Sequence, residues 1–268
     1  MFHHPMPWRR RANPPLGKEI KMGKLTGKIA IVAGAGRGIG RATAELFAAE
    51  GAKVAVLSLT PANVNAVVDS IQAKGGTALG VTCDLSDGDQ IIEAVAKVVQ
   101  TFGGIDILVN VAFDPSAVHS PILDLQVDQL QRNFDMGPIA YLRTMQACYP
   151  HLKRSGEGRV INFASLAGVL GMSPYGPYNM AKEAVRALTR SAAREWGPDN
   201  ITVNNLLPVA DTWGAAQNAP APTNALGRHG SPENDIAPVA LFLASSDSKF
   251  ITGSSLTPDG GQIIDSAR

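Results

Sequence analysis

The sequence predicts an α/β protein, a single domain built on a doubly wound parallel sheet. Three observations predict it. Short continuous apolar runs alternate along the chain with longer segments of helical period. The first apolar run empties directly into a glycine-rich turn that opens a helix. A length of 268 residues, 45% hydrophobic and 18% charged, suits one large core.

The elements follow in order. Strands covered on both faces read as unbroken Val, Ile and Leu, and Lys28–Ala33, Lys53–Leu57, Ala78–Cys83, Ile105–Val109, Arg159–Ala164 and Ile201–Leu207 have that character. Arg41–Glu50, Pro61–Lys74, Asp87–Phe102, Asp128–His151 and Tyr178–Trp196 lie between them with helical period. Alternation of this kind joins parallel strands by right-handed helical crossovers. Ligands of such sheets bind beyond the carboxyl ends of the strands, so chemistry is sought where each strand stops.

A formal net charge of +1 provides no clustered excess for nucleic acid, and no apolar run approaches the roughly 18 residues that span a bilayer. The expected partner is a small, roughly neutral molecule. Cys83 and Cys148 are too few for a disulfide framework and lack the paired spacing of a metal site, so no metal and a reducing, cytoplasmic setting are expected. Residues 1–23, with Arg9, Arg10, Arg11 and several prolines, read as a disordered extension without a secretory apolar segment, preceding a domain over residues 24–268. Within it, residues 209–226 are the expected substrate loop; the Ala-Pro-Ala-Pro stretch of Thr212–Asn224 reads equally as a lid or as a plain surface loop.

Gly34, Gly36, Arg37, Gly38, Ile39 and Gly40 connect the first strand to its helix. Glycines let backbone approach a pyrophosphate, and the helix N-terminus supplies unpaired N–H groups and a favourable dipole. This strand, loop and helix predict a Rossmann-type dinucleotide site. An acid at the end of the second strand would bind the ribose 2′-hydroxyl of NAD and repel the 2′-phosphate of NADP; the residue there is the neutral Ser58. Arg37 is either a partner for that phosphate or a solvated loop cation, and the expected cofactor is NADP in preference to NAD.

Tyr178 and Lys182 are four residues apart on a predicted helix, hence on one face, about 5–6 Å apart at Cβ. A neighbouring ammonium favours the phenolate and would lower the tyrosine toward working pH, as acid–base catalysis requires. Ser165 ends a predicted strand, where its hydroxyl can hydrogen-bond a substrate oxygen or satisfy local backbone. Tyr175 is the rival tyrosine, but position 179 is Asn rather than Lys.

Over nearly all of Lys24–Gln262 the chain resembles the short-chain dehydrogenase/reductase family. The resemblance rests on Ala33-Gly34-x-x-x-Gly38-Ile39-Gly40, on Ser165 thirteen residues before Tyr178, on Tyr178-x-x-x-Lys182, and on Pro258-Asp259-Gly260-Gly261. It implies that Asp84 and Leu85 lie near the adenine, that Asn110 and Ala112 stand in the family's Asn-Asn-Ala-Gly stretch, and that Pro208, Val209 and Thr212 contact the cofactor. It also implies hydride transfer between a nicotinamide and a small carbonyl or secondary alcohol, with Ser165, Tyr178 and Lys182 catalytic, in a homotetramer or homodimer. A dinucleotide-binding sensor or scaffold of the same fold is the alternative.

Departures from the pattern bear on that alternative. The family's fourth catalytic residue, an asparagine that helps hold water beside the lysine, aligns with Gly137 in Phe134-Asp135-Met136-Gly137-Pro138. Pro138 should bend the helix and free carbonyls that could hold the same water, and Asn133, one turn earlier, is a second possible substitute. Val111, Phe113 and Val209 replace an asparagine and two glycines and should narrow or reshape the nicotinamide pocket. Leu170, Met172, Tyr175 and Trp213 point to an apolar substrate body.

Overall fold

The computed structural model of the chain describes residues 23–211 and 223–264. The expected extension therefore lies outside the described residues except for Gly23, and the loop is described only at its two ends. Seven strands form one sheet in the order β3-β2-β1-β4-β5-β6-β7. They are β1 (Ile29–Ala33), β2 (Lys53–Ser58), β3 (Thr77–Thr82), β4 (Ile107–Asn110), β5 (Arg159–Phe163), β6 (Thr202–Leu206) and β7 (Ser255–Leu256). Every pairing is parallel. Strand order reverses between β1 and β4, which places the crevice of a doubly wound sheet at their carboxyl ends.

Helices cover both faces. On one side the core of Ile31, Leu108, Tyr141, Met145, Val160 and Val185 packs under α3 (Gly88–Phe102), α5 (Ala140–Ser155) and α7 (Gly176–Trp196). On the other, Val32, Phe47, Val54, Val109, Ile161 and Leu241 pack under α1 (Gly38–Ala49), α2 (Pro61–Ala73) and α8 (Ala237–Ala244). The remaining α-helices among the described residues are α4 (Val127–Phe134) and the five-residue α6 (Leu166–Leu170).

The helix expected over Asp128–His151 is two helices. Between α4 and α5 the chain makes a π turn over Asp135–Ile139, in which Gly137 leaves helical geometry at φ −102°, ψ −109°. Pro138 has no N–H to give the ladder, so the break falls where the sequence denies the backbone a donor. Sequence periodicity also missed α6, α8 and β7. Two are very short, and Ala-Pro-Val-Ala-Leu-Phe-Leu-Ala in α8 is apolar on all sides because the helix is largely buried, leaving no stripe to detect.

Register aligns the strand ends. Ala33 pairs with Leu57 on one side and Asn110 on the other, Asn110 with Asn162, and Asn162 with Asn205. The segments leaving these strands, which contain Gly34, Ser58, Val111, Ala112, Ala164, Ser165, Leu207 and Pro208, thus emerge along one edge of the sheet.

Candidate active site

The glycine-rich turn is shaped by contact as well as by flexibility. Gly34 has φ +96°, and a Cβ there would lie 2.6 Å from the Ala112 backbone nitrogen. A Cβ at Gly40 would lie 2.2 Å from the Gly34 carbonyl oxygen. Only hydrogen at both positions lets the turn nest between β1, β4 and α1. Helix α1 begins at Gly38, so Gly38, Ile39 and Gly40 form its first turn, and its N-cap, Arg37, makes no side-chain cap. The first N–H groups of α1 are the donors a pyrophosphate would take. A Cβ on Gly36 would meet Ser58 Oγ at 2.5 Å, which places Ser58 directly under the turn that contains the exposed Arg37.

Past β3, Asp84 accepts from the backbone N–H and hydroxyl of Ser86, at 2.9 and 2.7 Å, while Leu85 is buried. Asn110 closes β4. Its side chain is buried and fully engaged, Nδ2 donating to Asn162 Oδ1 at 3.0 Å and Oδ1 accepting from Thr144 Oγ1 at 2.8 Å. Asn162 Nδ2 continues to Thr189 Oγ1 at 2.9 Å, and Thr189 Oγ1 to Asn205 Oδ1 at 2.7 Å. This buried polar ladder fastens β4, β5, β6 and α7 to one another, and its sequence signal was an asparagine inside each of three apolar strands.

The catalytic candidates converge. Ser165 ends the chain segment after β5 and caps α6, accepting from the Ala167 N–H at 3.2 Å. Tyr178 and Lys182 occupy the first two turns of α7, with Pro177 in the first turn. Burial pushes the Tyr178 hydroxyl above its ordinary range, and a hydrogen bond from Ser165 opposes that by favouring the phenolate. The expected lowering of Tyr178 by Lys182 is not the dominant effect: Lys182 Nζ lies 5.6 Å from the Tyr178 ring centroid and is itself pulled down to about 7 by burial. Lys182 Nζ donates to the Phe163 carbonyl at 2.8 Å and to the Tyr141 hydroxyl at 3.4 Å.

Around this group stands an aromatic wall. Phe113 meets Tyr178 edge-on at 5.9 Å and lies 5.7 Å from Lys182 Nζ, and the Tyr175 ring lies 4.4 Å from that of His119 at a tilt of 57°. Leu170 and Met172 are exposed beside it. Pro208 and Val209 leave β6 on the far side, and the Val209 N–H donates to the Pro258 carbonyl at 3.2 Å. Thr212 and Trp213 lie outside the described residues. Asn133 is buried and its amide donates to the Gln129 carbonyl at 3.0 Å, within its own helix.

Known proteins resemble the chain over most of its length. A family model described as enoyl-(acyl carrier protein) reductase matches residues 34–262. A 12alpha-hydroxysteroid dehydrogenase of Clostridium sp. is 37% identical over 259 residues, covering 90% of this chain and 98% of that protein. A cyclohexanol dehydrogenase of Acinetobacter sp. is 32% identical over 250 residues, covering 91% and 98%. A solved 7 alpha-hydroxysteroid dehydrogenase, complexed with NADH and 7-oxo glycochenodeoxycholic acid, superposes with TM-score 0.82 at 30% identity, covering 89% of this chain and 95% of its own. The chain belongs to the short-chain dehydrogenase/reductase family. It is a nicotinamide-dependent oxidoreductase acting at CH–OH and C=O groups, and the alternative of a non-catalytic sensor finds no support in these relatives.

Proposed function

We propose that Ser165, Tyr178 and Lys182 carry the chemistry of this oxidoreductase, on a cyclic, largely apolar alcohol or ketone. The observation that carries the assignment is their convergence: Lys182 Nζ lies 5.6 Å from the Tyr178 ring centroid, and the Ser165 hydroxyl is near enough to Tyr178 to favour its phenolate. A bound nicotinamide supplies or accepts the hydride. Tyr178, held protonated by burial, gives its proton to the oxygen of a carbonyl undergoing reduction and takes one back in the reverse direction. Ser165, whose one proton turns from Tyr178 to that oxygen when substrate is bound, fixes its position. Lys182 would contact the nicotinamide ribose, and as an ammonium it stabilises the phenolate left on Tyr178.

Cofactor-holding roles go to Gly34, Arg37, Gly38, Ile39 and Gly40 at the pyrophosphate and adenosine ribose, with Ser58 beneath them. Asp84 and Leu85 serve the adenine side, the backbone of Asn110 and Ala112 the floor, and Pro208, Val209 and Thr212 the nicotinamide side. The closed fit of glycines in the turn and the uncapped start of α1 support the site. NADP is the proposed preference, because Ser58 is neutral and Arg37 is exposed beside it. A cyclic substrate is supported by the Phe113, Tyr175 and His119 rings and by relatives named for steroid and cyclohexane-ring alcohols. We place the protein in the cytoplasm as a homotetramer or homodimer; its two cysteines are buried and unpaired, as a reducing compartment permits.

A panel of cyclic and short open-chain alcohols and ketones, run with both cofactors and read by nicotinamide absorbance, tests the proposal. Turnover of cyclic members with NADPH or NADP is expected. A preference for short open-chain substrates would remove the argument from the aromatic wall.

A further inference from the structure

Lys182 is 97% buried by its 3% relative exposure, and among the described residues it forms no ion pair. A buried ammonium needs acceptors. Its side-chain partners are the Phe163 carbonyl and the Tyr141 hydroxyl. Tyr141 is equally buried, and its hydroxyl lies 3.0 Å from the Ala112 carbonyl and 3.3 Å from that of Phe163. A hydroxyl has one proton, so it donates to a carbonyl and offers its lone pairs to Lys182.

Position matters as much as distance. Tyr141 follows Gly137 by four residues across the π turn, and both look toward α7: a Cβ at Gly137 would lie 3.6 Å from that of Ala181, next to Lys182. The side chain missing at Gly137 is thus matched by an oxygen supplied one turn later. We propose that Tyr141 is the positioning residue for Lys182, its hydroxyl filling the place of the relay that an asparagine at position 137 would support, and tying the lysine to the ends of β4 and β5. The inference rests on the reading of Lys182 as the lysine of the site.

The test uses full-length protein with NADPH as probe. Protein labelled with [13C]lysine is titrated by NMR, Lys182 being assigned by its loss in Lys182→Met, and NADPH affinity is read by fluorescence. In Tyr141→Phe, Lys182 is expected to titrate about one pH unit lower, since its charged form loses an acceptor, and NADPH to bind about tenfold more weakly. Adding Gly137→Asn to Tyr141→Phe should recover part of the affinity, whereas Gly137→Asn alone should change turnover less than about threefold. A folded Tyr141→Phe with unchanged Lys182 titration and NADPH affinity overturns the proposal. Should Tyr141→Phe fail to fold, Gly137→Asn alone decides: a rise in turnover of about tenfold or more means that the relay was missing and overturns it, while an unchanged rate supports it. The underlying reading fails separately, by survival of turnover in Lys182→Met.

Discussion

Ser58, against the turn at Gly36, and the exposed Arg37 that follows it carry the question of cofactor choice. Arg37→Ala is expected to weaken NADP binding by about 1.5–3 kcal/mol, the scale of a charge-assisted hydrogen bond, and to leave NAD nearly untouched. Ser58→Asp should shift preference toward NAD, since a carboxylate accepts from a 2′-hydroxyl and repels a 2′-phosphate. Paired binding titrations check both, and tighter binding of NAD than NADP by the unaltered protein would return Arg37 to a solvated loop cation. Lys182 makes a prediction of another kind. Burial holds it at about 7 against an ordinary 10.5, so above pH 7 the unfolded chain binds a proton that the folded chain does not. Stability must then rise with pH. Cys83 and Cys148, raised by burial from an ordinary 9.0, act in the opposite sense at higher pH, which confines the window to about pH 7–9. Denaturant unfolding of the cofactor-free protein should show a gain of at most about 2 kcal/mol across it, absent in Lys182→Met.

At the scale of elements, the polar ladder and the π turn hold the site in place. Asn162 is central to the ladder, and Asn162→Ala strands Asn110 and removes the acceptor side chain that organises its neighbours. A loss of about 3–5 kcal/mol is expected by chemical denaturation, because buried partners are left unpaired. A loss under 1 kcal/mol would mean that water replaces the amide. The strands were legible because unbroken Val, Ile and Leu have few alternatives inside an α/β core, and the site because Ser165, Tyr178 and Lys182 stand at strand end and helix start. The break at Asp135–Ile139 was legible only in part: Pro138 announced a bend, but a π turn depends on how Gly137 settles against α7. Tyr141 was not legible, since an aromatic in an amphipathic helix reads as core until its hydroxyl is seen against Lys182.

The whole molecule adds two further levels. Val127, Leu142 and Met180 are exposed apolar side chains on α4, α5 and α7. Light scattering is expected to give a dimer or tetramer, and a stable monomer would contradict that assembly. Alternating apolar runs and helical segments announced a doubly wound parallel sheet, and composition and charge one large core with a small-molecule partner, yet the order of the strands within the sheet follows from crossovers that no local pattern encodes. All these scales meet in one side chain. Tyr178→Phe removes a single hydroxyl, and its effect on turnover of the best substrate found in the cyclic panel, with NADPH affinity measured on the same sample, is the most direct test of the assigned chemistry. Affinity within about twofold and turnover reduced by roughly 10²–10⁴ is the predicted result. Turnover that survives the change, with cofactor still bound, would contradict it.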